Sequence, residues 1–277
     1  MTDRKVWLIT GSARGFGRLW AEAALARGDA VAATVRDLAT LDTLVAQYGD
    51  AILPLELDVT NRAAVFDAVQ DAHRRFGRLD VVISNAGYGM MGAIEEIDID
   101  QARANFETNV FGTINLLQAV LPLLRAQKSG HILPVSSVAG LVTVPTAGIY
   151  EAAKFAVEAI AESLAAEVAN FGIKVTIIEP GPYATNFMTS ASLTVSQPLP
   201  AYDEVRKVLA TMVKPEDMGD PKATPDAILK VVDAPNPPLR LMLGALLPMV
   251  RDVYAERLKT WEQWDDVARA AKGAPIH

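Results

Sequence analysis

The chain has 277 residues, 51% hydrophobic and 21% charged, the balance of a globular protein with a sizeable core. Its net charge is −7 and no basic run exceeds Arg74-Arg75, which argues against nucleic acid as a partner. Cysteine is absent, which excludes disulfides, thiol catalysis and thiolate metal sites.

No secretory h-region precedes the first apolar strand pattern, and the apolar run at 239–250 holds Arg240 and Pro248 and is too short for a bilayer. The expectation is a cytoplasmic protein that does not engage a membrane. Val6-Trp7-Leu8-Ile9 is a continuous apolar run, as in a buried parallel strand. Thr10-Gly11-Ser12-Ala13-Arg14-Gly15-Phe16-Gly17 follows, then an amphipathic helix over 19–27 ended by Gly28. In that context Gly11 permits a tight turn, Gly15 lets backbone N–H groups approach a pyrophosphate, and Gly17 allows close helix packing. The spacing Gly-x3-Gly-x-Gly is not the commoner dinucleotide pattern, so the cofactor reading rests on its place between strand and helix.

Residues 30–35 are the second predicted strand, and Arg36 is the first residue past it. An acidic side chain at this strand end suits a ribose 2′-hydroxyl, whereas an arginine suits a 2′-phosphate. Arg36, with Arg14 in the glycine turn as a second cation, favours NADP over NAD. Asp37 keeps NAD open, or simply caps the next helix.

The alternation continues with a strand over 51–57, closed by Asp58-Val59-Thr60, and a helix over 61–76 with Asn61 as cap and Gly77 past its end. A strand over 79–84 runs into Asn85-Ala86-Gly87, and a long helix is predicted over 101–127. The strand over 130–136 contains Pro134, which a central ladder does not welcome. A helix then runs to about 171, and a strand over 174–179 follows Gly172. Repeated units of this kind predict an α/β fold with a doubly wound, mostly parallel sheet, helices on both faces and a ligand crevice at the carboxyl ends of the strands. Gly11, Arg36, Asp58, Asn85, Ser137 and Pro180 all fall at such ends.

Tyr150 and Lys154 are one helical turn apart. An ammonium so placed favours the phenolate and should bring the tyrosine below its reference pKa of about 10. By spacing alone the pair reads more readily as a packed ring beside a solvated amine. Over 181–220 the periodicity fails at Pro182, Pro198, Pro200 and Pro215, yet Phe187, Met188, Leu193 and Leu199 make the stretch too apolar for a linker. It is predicted to be a substrate-binding lid. Thr224-Pro225 starts a helix to about 232, 239–243 is the last strand, and a terminal helix covers 248–271. Tyr254, Trp261 and Trp264 on that helix are read as core. The domain prediction is one domain over 1–277 with a C-terminal helical extension over 245–277. His73, His131 and His277 lack metal spacing, and no metal is expected.

Taken together, Thr10-Gly11-x3-Gly15-x-Gly17, Asp58-Val59, Asn85-Ala86-Gly87, Asn109, Ser136-Ser137-x-x-Gly140, Tyr150-x3-Lys154 and Pro180-Gly181 resemble the short-chain dehydrogenase/reductase family from residue 5 to about 243. The resemblance implies a Rossmann-type sheet of about seven strands and homo-oligomeric assembly as a dimer or tetramer, and, read with Arg14 and Arg36, NADP(H)-dependent interconversion of a secondary alcohol with a ketone or aldehyde. It implies Tyr150 as proton donor and acceptor, Lys154 as the cation beside it, Ser137 as the hydroxyl on the substrate oxygen, and Asn109 as the holder of a relay water. On the cofactor side it implies Gly11, Arg14, Gly15, Phe16, Gly17, Arg36, Asp58, Val59, Asn85, Ala86, Gly87, Pro180, Gly181 and Thr185. Pro134 departs from the asparagine the family often carries there, and Ser136 offers a shifted alternative to Ser137. Tyr88, Met90, Met91, Leu141 and Val142, with the lid, suggest an apolar substrate.

Overall fold

Parallel pairing of short apolar strands organises Met1–Gly244, the larger of two units into which the chain divides. The computed structural model describes residues 4–185, 187, 192–211 and 217–273. Strands β1 (Val6–Thr10), β2 (Ala30–Val35), β3 (Ile52–Glu56), β4 (Val81–Ser84), β6 (Gly130–Pro134) and β7 (Ile173–Val175) form one parallel sheet in the order β3-β2-β1-β4-β6-β7. Every residue of β1 and β2 is buried, because side chains alternate between two covered faces. Val6 and Leu8 join Val82, Leu116, Val120 and Ile132 on one side, while Trp7 and Ile9 join Trp20, Ile83, Leu133 and Ile228 on the other.

The strand predicted over 174–179 is interrupted at Thr176, and β8 (Ile177–Pro180) pairs with β10 (Arg240–Leu243). A bridge between Val135 and Ile178 continues the pairing from the end of β6. The expected seven strands therefore resolve into six in the central sheet plus this pair. Pro134 is accommodated at the same break. Val135 donates to Ser84 O on one side and Ser136 to Ile178 O on the other. By that alternation the missing N–H of Pro134 faces the interrupted strand, where no regular ladder bond is lost.

Helices α1 (Gly15–Ala26), α2 (Asp42–Tyr48), α3 (Arg62–Phe76), α4 (Ile99–Phe106), α5 (Gly112–Gln127), α6 (Gly148–Val168) and α8 (Thr224–Asp233) connect the strands. For α3 the Asn61 cap accepts from Ala64 N at 3.1 Å, and Gly77 closes the helix at φ 79°. The helix predicted as continuous over 101–127 is instead α4, a π turn over Glu107–Phe111 and α5. Within the 181–220 stretch, β9 (Leu193–Val195) lies parallel to β5 (Gly89–Met91), and α7 (Asp203–Ala210) follows. Glu96, its side chain 1% exposed, fastens this segment by accepting from Leu199 N at 2.7 Å and Arg206 Nη1 at 2.6 Å. Met188 and Pro215 lie outside the described residues.

The second unit, Ala245–His277, consists of α9 (Leu247–Gln263) and α10 (Asp265–Ala271) where one helix was predicted. Tyr254, Trp261 and Trp264 are 42%, 65% and 63% exposed, so reading them as core is corrected. Among the described residues no helix is long and apolar enough to cross a membrane.

Candidate active site

The turn after β1 is shaped for close backbone approach. Gly11 has φ 72°, and a Cβ there would lie 3.0 Å from Ala86 Cα. A Cβ on Gly17 would lie 2.5 Å from both Asn85 Nδ2 and Gly11 O. Asn85 locks this contact by donating from Nδ2 to Thr10 O at 2.9 Å and to Gly11 O at 3.1 Å, and Thr10 Oγ1 accepts from the backbone of Asn85 and Ala86. Gly15, at φ 59°, has open space where a side chain would stand. No side chain caps the start of α1 and no acidic residue sits in its first turn, so its N–H groups and positive dipole end suit a phosphate. These residues fit a dinucleotide. The Phe16 ring itself packs inward, stacked on Trp20 at 5.2 Å and edge-on to Tyr183 at 5.2 Å.

Arg36 is exposed at the end of β2. Asp37 accepts from Ala39 N at 3.1 Å, the capping role that the sequence left as an alternative. Arg14 donates to Ser192 Oγ at 2.8 Å, which ties the glycine turn to the segment that leads into β9. Asp58 is exposed and holds Thr60 through its N–H and hydroxyl at 2.9 and 2.8 Å, whereas Val59 is buried and its carbonyl accepts from Asn115.

At the next strand ends the polar groups converge. Lys154 is 6% exposed and donates to Val135 O at 2.9 Å, and its Nζ lies 5.7 Å from the Tyr150 ring centroid. The π turn presents Asn109 inward, where it holds both backbone groups of Tyr88, N–H at 3.1 Å and C=O at 3.0 Å, and donates to Asn105 Oδ1 at 2.9 Å. A Cβ on Gly87 would collide with Asn109 Oδ1 and lie 3.7 Å from Lys154 Nζ, so only glycine lets these groups meet. Ser137 hydrogen-bonds Tyr150 and donates to Pro180 O at 3.3 Å, while Ser136 turns the other way, toward Lys154 O at 3.4 Å. Gly181 is tied to β10 through Leu243 O, and Thr185 accepts from Phe187 N at 3.2 Å.

Burial raises the Tyr150 phenol above its ordinary pKa, and the Ser137 hydrogen bond offsets only part of the rise. This corrects the expectation of a depressed value. Burial also lowers Lys154 to about 8, against the pull of Glu158. Sequence reading missed Asn105 and Glu158, and it took Phe187 only as an apolar lid residue. The Phe187 ring lies 5.6 Å from that of Tyr150, and Phe187 and Leu193 crowd Gly89.

Residues 5–195 match the family model described as short chain dehydrogenase. The chain belongs to the short-chain dehydrogenase/reductase family. An oxidoreductase of Botryotinia fuckeliana, BOA17, is 43% identical over 96% of this chain and 99% of its own length. The crystal structure of a short-chain dehydrogenase from Streptomyces avermitilis superposes with a TM-score of 0.89 at 38% identity, covering 98% of this chain and 99% of that one. A family member from Burkholderia phymatum, solved in complex with NAD, has a TM-score of 0.75 at 29% identity over 90% of this chain and 92% of that chain.

Proposed function

We propose that this family member is an NADP(H)-dependent oxidoreductase that interconverts an apolar secondary alcohol with its ketone or aldehyde. The observation that carries the reading is the convergence of Tyr150, Ser137, Lys154 and Asn109 at the strand ends beside the Gly11–Gly17 cradle. Bound across that cradle, the nicotinamide would supply or take up the hydride. Tyr150 gives its phenolic proton to the carbonyl oxygen in reduction and takes it back from the alcohol in oxidation. Ser137, held to Pro180 O by a long 3.3 Å bond, is free to turn its hydrogen to the substrate oxygen. Lys154 holds positive charge beside the phenol, and Asn109 anchors the Tyr88 loop behind it. Asp58, Val59, Ala86, Gly181 and Thr185 complete the cofactor wall in this reading.

The preference for NADP rests on Arg36 and Arg14, and NAD is the second reading because Asp37 stands beside Arg36. An apolar substrate is supported by Phe187, whose ring lies near that of Tyr150, and by Leu193 beside it at Gly89, and a homo-oligomer by the exposed Ile99, which opens α4, and Phe111, the last residue of the π turn. The test is a panel of aliphatic and aromatic ketones with NADPH and NADH, followed at the absorbance of reduced nicotinamide. Turnover of apolar ketones with NADPH is expected. Inactivity across the panel with both cofactors overturns the proposal.

A further inference from the structure

Directly behind Lys154 lies a cluster of buried charges that the chemistry above does not use. Glu158 stands one helical turn after Lys154 on α6, Glu179 comes from β8, and they are 5% and 1% exposed. Arg240 on β10 reaches both: its Nε lies 3.1 Å from Glu158 Oε2 and 3.3 Å from Glu179 Oε1, and its Nη2 bonds Glu162 at 2.9 Å. Ser136, on the turn after β6, favours the charged form of Glu158. A Cβ on Gly140 would lie 2.6 Å from Ser136 Oγ and 2.9 Å from Glu158 Cγ, so the turn that carries Ser137 is packed on this glutamate. One oxygen of each carboxylate, Glu158 Oε1 and Glu179 Oε1, makes no hydrogen bond.

As a purely structural device this cluster is poor. Two carboxylates taken out of water and served by one guanidinium and a serine do no better than an apolar trio at joining α6, β8 and β10. Its position suggests the reason it is there. We propose that Glu158, backed by Glu179 and Arg240, is a positioning residue for the proton-transfer pair, keeping the Lys154 ammonium charged and the 136–140 turn seated against α6. The inference rests on the reading of Tyr150 and Lys154 as that pair.

The electrostatics run in the required direction. Burial strips charge from Lys154, and Glu158 is the group that opposes it. Glu158 itself faces Lys154 and Glu162 on its own helix, Glu179 from β8, Arg240 from β10 and Ser136 from the turn. Burial, then the charge of Glu158, raises Glu179 to about 7. The cluster therefore gains negative charge as pH rises toward the range in which Lys154 would otherwise lose its proton.

The experiment is an NMR titration of the lysine side-chain ε carbons in the full chain, with Lys154 assigned from the Lys154→Met variant. Glu158→Gln is expected to lower the Lys154 midpoint by about one pH unit, roughly tenfold in proton affinity. Glu179→Gln, one layer further out, is expected to move it less. Should Glu158→Gln not fold, Glu158→Asp withdraws the carboxylate by one methylene and is expected to give a smaller shift of the same sign. A Lys154 midpoint unchanged in the folded variants overturns the inference. In turnover of the fastest ketone, the alkaline limb of kcat should move down with the NMR midpoint while KM stays within about twofold. Tyr150→Phe is assayed alongside. If it retains turnover, the proton-transfer assignment fails; if it is inactive and Lys154 is unmoved by Glu158→Gln, only the present inference fails.

Discussion

At Tyr150 burial and the Ser137 hydroxyl push the phenol in opposite directions, and burial wins. A phenol held that high is a proton donor first, and it needs further positive charge nearby to serve as a base at neutral pH. Tyr150→Phe is expected to lower kcat by about 10²–10⁴ while leaving cofactor affinity, measured by quenching of tryptophan fluorescence, within about twofold. Arg36→Ala should raise KM for NADPH roughly tenfold or more, the worth of a charge-assisted bond, and leave NADH little changed. Equal effects on the two cofactors would remove the basis for the NADP preference. The Tyr150–Lys154 pair and the glycine turn were legible in the sequence because their geometry is local, set by helical spacing or by a turn between strand and helix, whereas Asn109 and Ser137 stand on other elements and were reached only through the family resemblance. The direction of the Tyr150 shift was not legible, since burial depends on the Phe187 lid segment, distant in sequence.

Among the elements, the helix predicted over 101–127 shows where periodicity falls short. Its apolar pattern continues through Glu107–Phe111, yet five residues there take a π turn, and that turn is what brings Asn109 onto Tyr88. The Gly11–Gly17 turn was read correctly as an element, and its tightness is open to a direct test. Gly17→Ala places a methyl group 2.5 Å from Asn85 Nδ2 and Gly11 O, and is expected to cost on the order of 1–3 kcal/mol by thermal unfolding and to weaken cofactor binding. Gly28→Ala, where the space is open, meets only backbone strain at φ 98°. Glu96 gathers Leu199 N, Arg206 and Ala93 N, which holds its carboxyl below the usual range. Glu96→Ala should release the segment 199–206, seen as roughly tenfold faster amide exchange there with the central strands unchanged. The proline-broken pattern over 181–220 marked a long irregular stretch, whereas its fastening to Glu96 is a contact across 110 residues that no local pattern reveals.

Across the whole molecule, two buried groups give stability a pH dependence of opposite sign. Burial lowers His131 to about 4 from 6.5, so its contribution is present above 6.5 and is lost as pH falls toward 4. Glu179 is raised from 4.5 to about 7, so its contribution is present below 4.5 and is lost as pH rises through 7. Above 6.5 only the second slope remains. Glu179→Gln is therefore expected to unfold at higher temperature than the parent near pH 8, by on the order of 1–3 kcal/mol, with the difference closing toward acid. A constant offset at all pH values would contradict the assignment. The bond from Thr10 to Asn85 carries a consequence for kinetics. It joins positions 75 residues apart, and Ser137, Tyr150 and Lys154 lie further along the chain still. In a parallel sheet such pairings close late, because loop entropy is spent before the contacts return it. A dinucleotide can then grip the chain only after the folding barrier has been crossed. It should slow unfolding in proportion to its saturation and leave the refolding rate untouched.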